Sequence, residues 1–290
     1  MPPPPPPARA ALLGLAVGDA LGETFFSLND ALDRMRTRTL TPGPWRWTDD
    51  TAMALAIVEV LEARGTIDTD HLARVFGRNY LADSRRGYGG TAHEILGLIG
   101  VGAAWKQVAA EAFEGQGSMG NGAAMRVAPL GAWFADDLSR VRTEALLSAA
   151  PTHAHPDGAA GAVAVAVATA VSCRGGTPDD VWRAVLDLTP PGDTRDGLVR
   201  ARALPPDCSL ALAAATLGTG WKVTSSDTVP FVIWCATRHL DDYEEAFWLT
   251  VQGLGDRDTT CAMVGGIIGA RVGVDGIPAE WRARTEPTGA

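Results

Sequence analysis

The run Gly161-Ala-Val-Ala-Val-Ala-Val-Ala-Thr-Ala-Val171 decides the fold class, because it must form either a long strand or a buried helix. Its alternation of Val and Ala is what a strand would show. The run is too long for a typical strand, however, and it is rich in Ala, the best helix former. We therefore predict a buried helix. The wider apolar stretch, residues 159–173, is shorter than the roughly 20 residues that cross a bilayer, so no membrane span is expected.

Helical spacing of apolar residues recurs along most of the chain. Apolar residues three and four positions apart predict helices at 8–21, 51–63, 69–82, 123–135, 141–149, 178–186, 243–254 and 259–272. Glycine and proline clusters predict loops at 41–44, 86–90, 115–117, 175–178 and 190–192. Because no internal repeat and no linker divides the chain, we expect one all-α domain of ten or more helices over residues 8–290. Residues 1–7, Met followed by six prolines, are expected to be a disordered polyproline II tail.

Charge and cysteine usage exclude several classes of protein. The 290 residues carry 25 Lys and Arg against 34 Asp and Glu, a net charge of −9, which disfavours a general nucleic-acid binder. The N-terminus has neither the basic nor the apolar region of a secretory signal. The four cysteines are widely spaced and form no C-x-x-C pair, so we expect a reduced, cytoplasmic protein with thiols in its core.

Two acidic clusters stand at the starts of predicted helices, and local capping explains each of them in part. Thr is a good N-cap, and Asp in a first turn interacts favourably with the helix dipole. Each cluster also offers two carboxylates and a Thr hydroxyl, which are hard oxygen ligands for Mg²⁺, Mn²⁺ or Ca²⁺. If the two helix starts converge, four carboxylates would balance two divalent cations. The clusters are Thr48-Asp49-Asp50 and Asp256-Arg257-Asp258-Thr259.

A glycine-rich segment precedes another predicted helix. It is either a loop with an N-cap or a place where the backbone approaches a phosphate group closely, with free N–H groups and the helix N-terminus attracting the anion. No Walker motif is present, since Gly-Lys-Ser/Thr does not follow. The segment comprises Gly117, Ser118, Met119, Gly120, Asn121 and Gly122.

Two further segments carry side chains that could contact a ligand. His153 and His155 lack obvious partners for zinc, so a hydrogen-bonding or stacking role is preferred for His153. The segment 86–90 could be only a turn, or it could present Tyr88 as a stacking surface.

Taken together and in order, seven segments resemble the ADP-ribosylglycohydrolase family. The resemblance runs from about residue 8 to residue 274 and implies a compact all-α fold with a dinuclear metal cleft. The segments are Gly14-Leu-Ala-Val-Gly-Asp-Ala-Leu-Gly22, Trp47-Thr-Asp-Asp-Thr51, Arg86-Gly-Tyr-Gly89, Ser118-Met-Gly-Asn-Gly122 with Met125-Arg126 and Pro129, Thr152-His153, Gly255-Asp-Arg-Asp-Thr259, and Gly265-Gly-Ile-Ile-Gly-Ala270.

The resemblance also implies an activity and a set of site residues. The expected reaction removes ADP-ribose from a modified protein side chain or a small conjugate by cleaving the bond at ribose C1″, with two Mg²⁺ or Mn²⁺ ions bound. Residues 117–122 would hold the diphosphate and distal ribose, His153 would touch the ligand, and Tyr88 would line the cleft. The implied metal ligands are Thr48, Asp49, Asp50, Asp256, Asp258 and Thr259.

Two positions differ from the family pattern. Family members commonly carry a Glu a few residues after Gly-Asp-Ala-Leu-Gly, whereas the matching place here is near Phe26 and the nearest acid is Glu23. The residue between the two later aspartates is usually small but is Arg257 here, which would either contact substrate phosphate or lie on the surface. Asp50 and Glu23 are the candidate catalytic bases.

Three classes of function stay open at this point. The chain could be a hydrolase, a regulatory protein that binds ADP-ribose without turnover, or a structural relative similar to a lens crystallin. A nucleic acid would be a partner only as a modified substrate. The linkage that is cut and the oligomeric state do not follow from the residues.

Overall fold

The structure is a computed structural model that describes residues 5–289. Within that range it contains seventeen α-helices, one 3₁₀ turn and no β-strand, although two isolated bridges occur, so the predicted all-α class is confirmed. In chain order the helices are α1 Pro6–Thr24, α2 Ala31–Thr37, α3 Asp49–Arg64, α4 Thr69–Ala82, α5 Gly90–Gly100, α6 Trp105–Gly115, α7 Gly122–Met125, α8 Ala128–Trp133, α9 Leu138–Ala149, α10 Pro156–Cys173, α11 Pro178–Leu188, α12 Asp193–Arg202, α13 Leu210–Leu217, α14 Ser225–Arg238, α15 Tyr243–Val251, α16 Arg257–Val272 and α17 Ala279–Arg284.

Helix α10 forms the centre of the core. It contains the whole Val/Ala run, which is helical as predicted, and its residues are buried on nearly every side. The helix packs against α7, α8, α9, α11, α14 and α16. Its mean hydropathy of 1.4 over 18 residues would suit a membrane span, but 78% of it is buried inside the protein, as expected of a core helix.

Helices α1 and α16 pack against each other through glycines, although they lie at opposite ends of the chain. A Cβ atom on Gly14 would lie 2.2 Å from the carbonyl oxygen of Gly265, and one on Gly18 would lie 2.1 Å from that of Cys261. Gly14, Gly18 and Gly22 are four residues apart, so they share one face of α1. Their spacing lets the two backbones touch and brings the acidic start of α16 beside α1.

Several boundaries differ from the sequence-based predictions. The helix expected over 123–135 is divided into α7 and α8, because Pro129 has no N–H and fits only the first turn of a new helix. Helix α1 begins at Pro6, so the last two residues of the expected tail belong to its first turn, where proline is tolerated. Residues 1–4 lie outside the described range.

Other helices were not predicted from the sequence. Helix α12 is largely polar, and α14 carries Pro230 in its interior. Helices α2, α5, α6, α13 and α17 were also missed. All four thiols are free, and Cys235 and Cys261 are buried as expected, whereas Cys173 and Cys208 are only half-buried.

Candidate active site

A buried carboxylate on α1 holds the start of α3. Asp19 accepts hydrogen bonds from the backbone N–H groups of Thr48 (2.9 Å) and Thr51 (3.1 Å) and from the hydroxyl of Thr51 (2.6 Å). Thr48 makes no side-chain capping bond of its own, and its hydroxyl lies 2.8 Å from Asp19 Oδ1. The expected local N-cap is thus replaced by a cap from another helix. This cap fixes the orientation of the first turn of α3, which carries Asp49 and Asp50.

Burial, and for some residues neighbouring negative charge, raises the pKa values of the carboxyl groups at the starts of α3 and α16. Burial raises the pKa of Asp19 to about 6, and burial together with the Asp19 charge raises that of Asp49 to about 8. Asp50 is fully buried, and its pKa is well above the ordinary value because of burial and the charges of Asp19, Asp258, Asp49 and Asp256. The pKa of Asp256 is also raised, first by burial. The starts of α3 and α16 therefore lie close enough for the charges of Asp256 and Asp258 to act on Asp50.

Close backbone contacts fix the start of α16. Gly255 has φ +67°, and a Cβ there would lie 2.1 Å from the carbonyl oxygen of Thr219. That same oxygen accepts a hydrogen bond of 2.9 Å from the N–H of Asp256. Asp256 Oδ2 accepts a bond of 2.7 Å from the side-chain amide of Asn121, so the glycine-rich segment is tied directly to the acidic cluster.

Two buried carboxylate oxygens, one at the start of α3 and one at the start of α16, lack a hydrogen-bond partner. Among residues 5–289, Asp50 Oδ1 and Asp258 Oδ1 are buried atoms that make no hydrogen bond. A buried, unpaired carboxylate oxygen is costly unless a positive charge accompanies it. Each cluster contributes one such atom, and this donor set fits a hard divalent cation. Across the same residues, however, no three Asp, Glu, His or Cys side chains are close enough together to hold a metal ion by themselves.

The glycine-rich segment forms one wall of a cleft with a volume of about 570 Å³, within the usual range for a small-molecule site. Met119 O accepts from the N–H of Ser225, and the N–H of Asn121 donates to Val223 O, so residues 119–121 are pinned to the start of α14. The expectation of several free N–H groups at a helix N-terminus is corrected here. The N–H groups of Gly120 and Asn121 are already bonded, and α7 is only four residues long.

Most of the predicted residues line this cleft. Those on its wall are Asp49, Ser118, Met119, Gly120, Asn121, Gly122, His153, Asp256, Asp258 and Thr259. Asp50 and Thr48 are buried below the wall. Gly117 lies behind it, where a Cβ would be 2.6 Å from the backbone nitrogen of His155.

The expected position of Tyr88 is corrected by the structure. Its side chain is only 6% exposed and packs edge-to-face on Tyr80 and His93, with ring centroids 5.2 and 6.0 Å away. The cleft wall at this point is formed by Gly87 and Gly89. Aromatic packing therefore turns Tyr88 into the core and leaves glycine backbone facing the cleft.

Glu23 and Arg257 lie together beside the acidic cluster. Glu23 is exposed at the end of α1, and its pKa is raised by partial loss of solvation and by the charges of Asp19 and Asp256. Arg257 neither extends into solvent nor lines the cleft. Its guanidinium lies 4.2 Å from the ring centroid of Phe26 and donates a hydrogen bond of 2.9 Å to Phe25 O. Phe26 and Arg257, the two positions that differ from the family pattern, thus contact each other, and Arg257 holds the segment that follows α1.

Some cleft residues were missed or left without a role. Arg126, Thr152 and the segment 222–224 line the cleft, and the exposed Phe113 stands at its edge. Arg126 and Asp19 each belong to a segment quoted for the resemblance, so a signal existed for them. The segment 222–224 joins the site only because it pairs with residues 119–121, and its sequence carries no signal of that pairing.

The fold and the cleft together define a helical domain with an acidic cleft large enough for a nucleotide-sized ligand. A sequence model of the ADP-ribosylglycohydrolase family matches residues 7–289, and the chain belongs to this family.

Individual relatives agree with this assignment over nearly the whole chain. The ADP-ribosylhydrolase ARH3 of Homo sapiens is 28% identical, over 96% of this chain and 88% of its own length. The ADP-ribosylarginine hydrolase Tri1 of Pseudomonas putida is 25% identical, over 94% and 72%. A solved structure described as an ADP-ribosylglycohydrolase-related protein complex superposes with a TM-score of 0.65 at 26% identity, covering 98% of this chain and 93% of that one.

Proposed function

We propose that this protein is a metal-dependent hydrolase that removes ADP-ribose from a modified protein side chain or a small conjugate by cleaving the glycosidic bond at ribose C1″. The observation that carries the proposal is the hydrogen bond between Asn121 and Asp256, which joins the glycine-rich wall to the acidic cluster. A diphosphate-containing ligand against that wall would place its terminal ribose beside the carboxylates of Asp49 and Asp258.

The cations proposed for the site are two Mg²⁺ or Mn²⁺ ions. The residues that would hold them are Thr48, Asp49, Asp50, Asp256, Asp258 and Thr259. The unpaired oxygens of Asp50 and Asp258, one from each helix start, are the structural support for this donor set. When bound, such cations supply positive charge that orients sugar hydroxyl groups and acidifies water.

Binding of the diphosphate and proton transfer are assigned to residues of the chain itself. Gly120 and Gly122 let the diphosphate approach the backbone closely, and His153, whose Nε2 lies beside both glycines, contacts it there. Asp50 is fully buried, which suits a ligand role, whereas Glu23 keeps access to solvent. We therefore assign to Glu23 the acceptance of the proton from the attacking water, with Asp50 as the rival base.

The substrate class follows from the relatives only in outline. One relative is named for ADP-ribosylarginine, so an arginine linkage is one candidate, and a serine linkage, an acetyl ester and a modified base are the others. The four free thiols support a reducing, cytoplasmic location.

The decisive experiment measures free ADP-ribose released from ADP-ribosyl-arginine and ADP-ribosyl-serine peptides in Mg²⁺, Mn²⁺ or EDTA. Release that requires a divalent cation supports the proposal and identifies the linkage. ADP-ribose binding without any release would instead indicate a regulatory binding protein. Neither binding nor release would indicate a structural relative.

A further inference from the structure

A chain of hydrogen bonds leads from a buried arginine to the histidine on the cleft wall. Arg126 is fully buried over the ring of Phe76, at 4.5 Å from its centroid. Its Nη2 donates to Ser148 O and to Thr152 Oγ1, each at 2.9 Å. Thr152 Oγ1 lies 2.7 Å from Nδ1 of His153. The three side chains thus form one connected line.

Matching donors with acceptors among these three side chains fixes the direction of each hydrogen bond. A guanidinium has only donors, so the Thr152 oxygen accepts from Arg126 and keeps its own hydrogen to donate. In the described part of the chain, His153 Nδ1 is the one acceptor within hydrogen-bonding distance of that hydroxyl. A buried hydroxyl left without an acceptor would cost about 1–3 kcal/mol. The arrangement that satisfies every group therefore has Nδ1 as an acceptor.

The other ring nitrogen then carries the hydrogen and faces the glycine-rich wall. A Cβ placed on Gly120 or on Gly122 would lie 3.2 Å from His153 Nε2. Burial and the charge of Arg126 lower the pKa of His153 to about 3, so the ring is neutral at pH 7 and only the choice of tautomer remains.

We propose that Thr152, oriented by Arg126, is a positioning residue that holds His153 as its Nε2–H tautomer and so presents a fixed hydrogen-bond donor to a phosphate oxygen at Gly120 and Gly122. The identity of the ligand rests on the proposed function, whereas the tautomer does not. A phosphate oxygen can only accept hydrogen bonds, and the opposite tautomer would present a lone pair that repels it.

The tautomer is measurable without any ligand. In protein labelled with ¹⁵N-histidine, proton–nitrogen correlation spectra distinguish a protonated ring nitrogen from an unprotonated one, and His153→Gln assigns the signals. We expect an unprotonated Nδ1 and a protonated Nε2 in the wild type. A protonated Nδ1 would overturn the proposal, whatever the protein does with ADP-ribose.

Variants of Thr152 test the positioning role. Thr152→Val removes the hydroxyl and should yield a mixture of tautomers, with a dissociation constant for ADP-ribose raised about tenfold, which is about 1.4 kcal/mol. Thr152→Ser keeps the hydroxyl and should restore both properties. Thr169→Val removes another buried threonine hydroxyl, bonded to Val165 O within α10, and should change neither.

The outcomes separate this proposal from the proposed function. If wild-type protein fails to bind ADP-ribose in calorimetry, the proposed function fails while the ligand-free spectra still decide the tautomer. If wild-type protein binds ADP-ribose but Thr152→Val changes neither the tautomer nor the affinity, the positioning role is overturned alone. Should Thr152→Val not fold, the wild-type spectrum and Thr152→Ser decide.

Discussion

Asp19 shows how much of the site depends on single buried side chains. Its carboxylate lies on α1, yet it receives the N–H groups of Thr48 and Thr51 at the start of α3. An N-cap is normally supplied by the helix itself. Here the orientation of the turn that carries Asp49 and Asp50 depends instead on a contact with another helix. The ligands proposed for a metal are therefore positioned by a residue that has no ligand role.

Gly120 gives a test of the glycine-rich wall. A Cβ on this residue would lie 3.1 Å from Ser118 Oγ and 3.2 Å from His153 Nε2, so a larger side chain would displace the wall and the histidine that are proposed to contact the phosphate. We expect Gly120→Val to raise the dissociation constant for ADP-ribose at least tenfold, or roughly 1.4 kcal/mol. Calorimetry measures the change, and unchanged affinity would move the phosphate site away from this wall.

Glu23 gives a test of the base assignment. Glu23→Gln keeps the shape of the side chain but cannot accept a proton, so kcat should fall about 100-fold or more. ADP-ribose binding should be nearly unchanged, since Glu23 is not part of the glycine-rich wall that is proposed to hold the diphosphate.

Glu111→Gln, an exposed change on α6, serves as the control for Glu23→Gln and should keep wild-type turnover. Wild-type kcat in Glu23→Gln at saturating metal would remove Glu23 from the mechanism and leave Asp50 as the base.

At the scale of elements, the contact between α1 and α16 matters most. It joins the helix that carries Asp19 to the helix that begins at the second acidic cluster, and glycine backbone forms the contact. A close helix pair of this kind cannot adjust by moving a side chain. Any atom added to the interface must push the two backbones apart.

Gly18→Ala should therefore destabilise the protein, even though alanine favours helices. The new Cβ would lie 2.1 Å from Cys261 O, and we expect the free energy of unfolding to fall by at least about 2 kcal/mol. The matched change Gly97→Ala, within α5, meets only a Tyr80 carbon at 3.7 Å and should be neutral or stabilising. Denaturant unfolding of both variants checks the difference, and equal stabilities would show that the interface can relax.

At the scale of the whole molecule, the cleft joins parts of the chain that are far apart in sequence. Its walls include Asp49, the segment 118–122, His153, the segment 222–224 and the start of α16. A cation held between α3 and α16 would bind the folded protein and not the unfolded chain, so it would stabilise the entire fold.

Divalent cations should accordingly raise the melting temperature of the wild type. At a free cation concentration about 100 times the dissociation constant, the stabilisation is about 2.7 kcal/mol. For a domain of this size that corresponds to a rise of roughly 4–5 °C. Thermal unfolding in EDTA, Mg²⁺ and Mn²⁺ measures this rise. A melting temperature that is the same with and without both cations would contradict the proposed site.

Asp258→Asn should remove this response without weakening the fold. Burial and the charges of Asp256 and Asp19 raise the pKa of Asp258 well above its ordinary value, so asparagine replaces a carboxyl whose ionised form is already disfavoured in the metal-free protein. In EDTA the variant should melt at or above the wild-type temperature, and it should show no turnover. The exposed Asp275→Asn should respond to cations like the wild type. A strong loss of stability in Asp258→Asn without metal would contradict the electrostatic account.

The sequence by itself determined the features that depend on neighbouring residues. Helical spacing and alanine content predicted α10 and the all-α class, because helix formation is governed by contacts three and four residues apart. Both acidic clusters were located at helix starts for the same local reason. The ordered set of segments was sufficient to indicate the family.

Only the tertiary structure decided the contacts between distant residues. Asp19 caps α3, Asn121 binds Asp256, and Arg257 stacks on Phe26, and none of these pairs is close in sequence. Tyr88 turned into the core for a similar reason, since its aromatic neighbours come from α4 and α5. A periodic pattern says which face of a helix is apolar, but which side chains meet is fixed by how closely the packed backbones approach, and here glycines on α1 and α16 set that distance.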